Sequence, residues 1–272
     1  FFFFPLDRKE KRAYDKCIHF IHIKGENDME RRKQWLGYFC VILSAMIFGC
    51  MPLGANFLYA QGVTPMTLVF LRNLLSLPIL ALLCQKQGGL RISRGALLET
   101  SLTGFFGCWL APILLFSSYR YLASGMATVF HFAYPVIVVL GGFVLREKVQ
   151  KSALFCALLC SFGIILLIDP SGAVDPFGVV LALTSGVAYA VYILLLAHFR
   201  HREVSGFRMS FYMAVVCAVC TFFLCLITGQ MHLPQNAAGW LVAFAFSLTI
   251  CVGAVVLFQK GTFLIGAQRA AI

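Results

Sequence analysis

The segment Ala123–Leu145 runs for 23 residues without a charged side chain and is apolar almost throughout. At 1.5 Å of rise per residue, a helix of this length crosses the roughly 30 Å hydrocarbon core of a bilayer. Near its middle stand His131, Tyr134 and Pro135, and just beyond it comes the cluster Arg146-Glu147-Lys148. The whole chain shares this character. Of its 272 residues 60% are hydrophobic and 12% charged, against about 25% charged in soluble domains. The expected fold class is an all-α protein that crosses the membrane many times.

The net charge of +11 would suggest nucleic acid in a soluble protein. Here it reads as Lys and Arg gathered in short loops on one side of a membrane, with the lipid bilayer as partner and no nucleic acid. The 11 cysteines lie mostly in apolar spans. Cys217 and Cys220 have CxxC spacing, but inside a hydrophobic helix a thiol acts as a small apolar side chain. No disulfide framework, metal or cofactor is expected.

Eight spans are expected: Trp35–Ala60, Pro65–Cys84, Gly95–Tyr119, Ala123–Leu145, Ser152–Ile168, Phe177–His198, Met209–Ile227 and Ala238–Phe258. Ala267–Ile272 opens a ninth. Residues 1–28 differ from the rest and read as a leader or disordered tail ahead of a start at Met29. The loops fix the orientation. One side carries Arg31, Arg32 and Lys33, then Lys86, Arg91 and Arg94, then Arg146, Lys148 and Lys151, then Arg200, Arg202 and Arg208. The other side carries Arg120, Asp169 and Asp175. The N-terminus is therefore expected to be cytoplasmic.

A weak repeat runs through the chain. Phe116–Phe130 can be laid on Phe258–Ile272, Gly37 on Gly178 and Gly95 on Gly239, at offsets of 141–144 residues. Each unit holds five spans, an odd number, so the two units enter the membrane from opposite sides. Inverted repeats of this kind mark transporters with a site between the halves at mid-membrane.

At this point the chain resembles a family. Ile47-Phe48-Gly49 in span one, Leu122–Pro135 with the terminal Arg146-Glu147-Lys148-Val149, and Ala182–Tyr192 together look like bacterial drug/metabolite transporters of the EamA type. Phe48 replaces the tryptophan usual before that glycine. The resemblance implies ten helices, both termini cytoplasmic, a place in the bacterial cytoplasmic membrane, and movement of small metabolites, often outward. Residues 35–169 would be the first repeat and 176–272 a second, truncated one. The second unit stops where the first reaches Phe130, so most of helix nine and all of helix ten are expected to be missing from this sequence.

Inside the spans, away from their ends, lie Arg72, Glu99 and His131. Such groups are costly in hydrocarbon and are functional candidates by default. Arg72 and His131 lie about 10 and 12 Å below the outer ends of their spans, and Glu99 about 6 Å above an inner end. Glu99 is therefore expected to meet Arg94 or Arg91. His131 and Tyr134 share a helix face, and Pro135 frees the carbonyl of His131. An unperturbed imidazole titrates at about 6.5, so coupling of transport to protons is open to this residue without being implied by it. Ser185, Tyr189 and Tyr192 form one face of span six, and Trp109 reaches the depth of His131. These seven residues, His131, Tyr134, Trp109, Tyr189, Tyr192, Ser185 and Arg72, are the cavity candidates. Gly186 and Gly49 read as packing glycines, and Pro52 as a kink that could gate.

The expected function is a secondary carrier for an amino acid, amphiphile or organic cation. The competing reading is a membrane enzyme on lipid or isoprenoid head groups, for which Glu99 and the basic loops are the available groups. No phosphate loop, metal cluster or nucleophile motif appears in the sequence.

Overall fold

The computed structural model describes residues 30–146, 154–155, 159, 162–163 and 174–271. Among these residues all regular structure is helical. Seven helices are long and apolar enough to cross a membrane. They are α1 (Glu30–Ala60), α2 (Pro65–Lys86), α3 (Arg94–Ser118), α4 (Ser124–Val144), α5 (Pro176–Ala197), α6 (Gly206–Thr228) and α7 (Ala237–Ile265). A short α8 (Ala267–Ala270) follows a turn at Gly266, whose φ of +82° suits glycine. The expected leader at 1–28 and most of the expected span Ser152–Ile168 lie outside the described residues. The last full span runs further than its hydropathy suggests, to Ile265 instead of Phe258.

Five helix starts have a local cause. Thr64, Ser93, Asp175, Ser205 and Asn236 each accept a hydrogen bond from a backbone N–H in the first turn, which satisfies donors that the helix leaves free. Five helices are interrupted. α1 breaks at Cys50, just before Pro52. α2 breaks at Leu75–Ser76, ahead of Pro78. α4 breaks at Phe132–Ala133, ahead of Pro135. α3 and α7 each widen to π-helical turns, at Phe105–Leu110 and Leu248–Ala254. Such turns put an extra residue into the helix and are frequent at functional sites.

The connections meet in two groups. At one end Tyr212 donates to the Leu90 carbonyl at 2.7 Å, and Arg208 to the Gln87 carbonyl. This ties the α2–α3 loop to the first turns of α6, beside the α5–α6 loop with its Arg200 and Arg202. At the other end Thr64 donates to the Gln230 carbonyl at 2.7 Å, and Asn236 to Gln61 at 2.6 Å. Glu99 corrects an expectation: its carboxylate accepts the backbone N–H of Arg200 at 3.0 Å and lies 3.9 Å from the Arg200 Nε. Its helix face turns toward the α5–α6 loop instead of its own N-terminal turn.

Several features recur along the chain at nearly constant spacing. The capping residues Thr64 and Ser205 are 141 residues apart, and Ser93 and Asn236 are 143 apart. The two π-helical turns begin 143 residues apart. Contacts repeat as well. Gly37 packs so closely on Leu264 and Ile265 that a Cβ would come within 2.5 Å of Ile265, and Gly178 packs likewise on Tyr121 and Leu122, at 2.8 Å. Gly104 of α3 lies against Met213 of α6, while Ser247 of α7 donates to the Arg72 carbonyl of α2 at 2.5 Å.

The outward faces carry large apolar side chains, among them Trp35, Phe39, Met46, Phe143, Phe223 and Ile227. This is the surface a bilayer requires. The main buried cluster draws side chains from all eight of these helices.

Candidate functional site

Between α1, α2, α3, α4, α5, α7 and α8 lies a cavity of about 410 Å³, within the range of small-molecule sites. Its wall includes Tyr38, Phe48 and Met51 of α1, Arg72 of α2, Gly107, Cys108 and Pro112 of α3, and Thr128, His131 and Tyr134 of α4. Tyr189 and Tyr192 of α5, Phe258 of α7 and Arg269 of α8 complete it. The interruptions of α1, α3, α4 and α7 lie beside it.

The α4 wall follows from Pro135. Proline has no N–H, so the helix cannot close its bond to the His131 carbonyl. The chain tightens instead into turns in which Phe132 N–H donates to Thr128 and Ala133 N–H to Phe130. The freed His131 carbonyl faces Gly186 of α5, and only the missing side chain of that glycine makes room for it. Gly186 is thus a packing glycine, as its sequence context suggests. Gly49 is not: a Cβ there would meet nothing within 4 Å.

His131 is buried and its Nδ1 lies 2.8 Å from Ser185 Oγ. The Ser185 hydroxyl donates its proton to the Ala182 carbonyl at 2.6 Å. A hydroxyl has one proton, so Ser185 Oγ accepts from His131 Nδ1–H. In the neutral ring Nε2 is then left as an acceptor. The imidazole packs on Tyr189 and Tyr134, with ring centroids 5.2 and 5.6 Å away. Tyr189 continues the aromatic row to Tyr192 at 5.4 Å, and Tyr192 stacks on Phe258 at 6.0 Å.

The α3 wall is built by the same logic as α4. Pro112 has no N–H for the carbonyl of Cys108, four residues earlier. That carbonyl accepts from Arg72 Nη2 at 3.2 Å and from the Cys217 thiol at 3.0 Å. Asn73, beside Arg72, donates to the Val69 carbonyl and to Cys217. Arg72 is 3% exposed, its Nε has no hydrogen-bond partner, and its Nη1 lies 4.0 Å from Met51 Sδ. Gly107 is open to the Tyr192 ring, which approaches its Cα too closely for any side chain.

Five of the seven sequence candidates therefore line the cavity: Arg72, His131, Tyr134, Tyr189 and Tyr192. Ser185 stands behind His131 and orients it. Trp109 does not reach the wall. It lies in the π-helical turn beside Phe105, 4.8 Å between ring centroids, and its indole N–H is buried without a partner. The cavity face of α3 is instead Gly107, Cys108, Ala111, Pro112 and Leu115. Met51, Thr128, Phe258 and Arg269 line the cavity without having been singled out in the sequence. For Cys108 a signal was available in Pro112. Thr128 stands three residues before His131 on the same helix face, while Met51, Phe258 and Arg269 come from helices remote in sequence that only the packing brings here.

Comparison with known proteins agrees with this architecture. The model of the EamA-like transporter family matches residues 35–169. The chain is 25% identical over 270 residues to the uncharacterized transporter YcbK of Bacillus subtilis, covering 92% of this chain and 84% of that protein. It is 26% identical over 273 residues to the uncharacterized transporter sll1319 of Synechocystis, covering 87% and 81%. Residues 35–169 are an EamA-like transporter family domain, and the chain as a whole is a membrane protein homologous to these bacterial transporters.

Proposed function

We propose that the chain is a secondary carrier that moves a small metabolite outward across the bacterial cytoplasmic membrane by alternating access, with the N-terminus cytoplasmic. The observation that carries this reading is the cavity at the meeting of seven helices, flanked by contacts that recur at a spacing of 141–143 residues. Recurrence of this kind is what two copies of one unit, inserted in opposite senses, would produce, and such units rock about a shared central site. The basic loops at the α2–α3 and α5–α6 end support a cytoplasmic assignment for that end. The substrate would rest against His131, Tyr134, Tyr189 and Tyr192.

Reconstitution into proteoliposomes tests this. Uptake screened over amino acids, organic acids and organic cations should find a saturable substrate. Alanine at His131, Tyr134, Tyr189 or Tyr192 should reduce its uptake. Transport indifferent to all four substitutions would refute the site.

A further inference from the structure

We propose that the cavity selects an organic anion: a carboxylate on an aromatic or aliphatic body, with the carboxylate held by Arg72. This deepens the carrier reading above and rests on it.

The argument begins with Arg72. Its guanidinium carries a positive charge and five N–H donors in a planar fork. It lies at mid-depth in α2, seven residues after Pro65. One donor meets the Cys108 carbonyl, Nη1 has only the distant thioether of Met51, Nε is buried without a hydrogen-bond partner, and the guanidinium carbon lies 5.9 Å from the centre of the Phe116 ring. Among the described residues no carboxylate forms an ion pair with it. Charged groups at this depth pair with a counter-charge or line a pathway, and a buried charge without a partner is costly. Met51, Cys108 and Arg72 all border the cavity, so the space beside the guanidinium is where a ligand can stand. Arginine's fork matches a carboxylate, which can take two of its N–H groups.

The rest of the wall points the same way. None of its described residues is acidic, while Arg72 and Arg269 are both basic. A cation lying on the Tyr134, Tyr189 and Tyr192 rings would gain from the ring faces but would meet Arg72 in the same low-dielectric space. The remaining wall is mainly aromatic and aliphatic, from Phe48 and Ile42 to Leu115 and Phe258. It offers few partners to a polyhydroxylated body such as a sugar phosphate, and good packing to an apolar one.

Two probes of nearly equal shape and opposite charge separate the cases: phenylacetate and phenethylammonium. Binding is measured by calorimetry on the full chain in lipid nanodiscs. Phenylacetate should bind at least about tenfold more tightly than phenethylammonium. Arg72→Gln should remove that preference, and Arg72→Lys should keep part of it. Equal or tighter binding of phenethylammonium, binding of neither, or an unchanged preference in folded Arg72→Gln would each overturn the anion assignment. If Arg72→Gln does not fold, the charge preference of the unmodified protein decides. Vesicle uptake separates this inference from the reading beneath it. Uptake of phenethylammonium but not phenylacetate would overturn the anion assignment and leave the carrier standing. Arg72-dependent binding of phenylacetate without movement of any solute would support the anion site and refute the carrier.

Discussion

The carbonyl oxygen of His131 on α4 lies against the Cα of Gly186 on α5, where a Cβ would stand 2.7 Å away. Backbone meets backbone here, with little room to relax. Gly186→Ala should therefore destabilise the protein by about 1–3 kcal/mol, the usual range for overpacking. Gly49→Ala, in the open, should be neutral or stabilise by up to about 1 kcal/mol, since alanine is the better helix former. Thermal unfolding of the two variants in detergent checks the pair; equal effects would contradict the contact.

The Ser185 hydroxyl orients the imidazole of His131. Ser185→Ala removes the acceptor and leaves a buried N–H alone, a loss of about 1–3 kcal/mol. Nitrogen-15 spectra of labelled histidine should show His131 protonated at Nδ1 in the unmodified protein. In Ser185→Ala that tautomer should no longer dominate. A ring protonated at Nε2 from the start would overturn the assignment.

Glu99 lies near the inner end of its span, and its partner Arg200 is exposed. An exposed pair contributes about 0–1 kcal/mol. Glu99→Gln should leave transport and the unfolding temperature almost unchanged. A large loss of uptake with normal stability would make Glu99 part of the pathway.

Much of the fold was legible because each crossing needs a long apolar run, and such runs stand out against basic loops. The end of α7 was not, because Gln259 and Lys260 break the run. Gln259 is nevertheless buried, where it accepts from Ser210 at 3.3 Å. At the site, position along a span could be counted from helix rise, and Arg72 and His131 both border the cavity. Direction around the helix could not, which is why Trp109 was misjudged: the π-helical turn at Phe105–Leu110 resets the facing of every residue near it. The rule that made Pro135 informative about His131 applies equally to Pro112 and Cys108, and it would have linked Cys108 to a donor in advance. The partnership of Arg72 with α3, and the arrival of Phe258 and Arg269, depend on helix packing over long sequence separations.

The central claim is that the cavity is a carrier site exposed to one side of the membrane at a time. Counterflow in proteoliposomes tests it most directly. Vesicles preloaded with unlabelled substrate should transiently concentrate labelled substrate from outside above its equilibrium level, and Tyr189→Ala and His131→Ala should weaken the overshoot. Flux that rises linearly with concentration and shows no overshoot would contradict alternating access at this cavity.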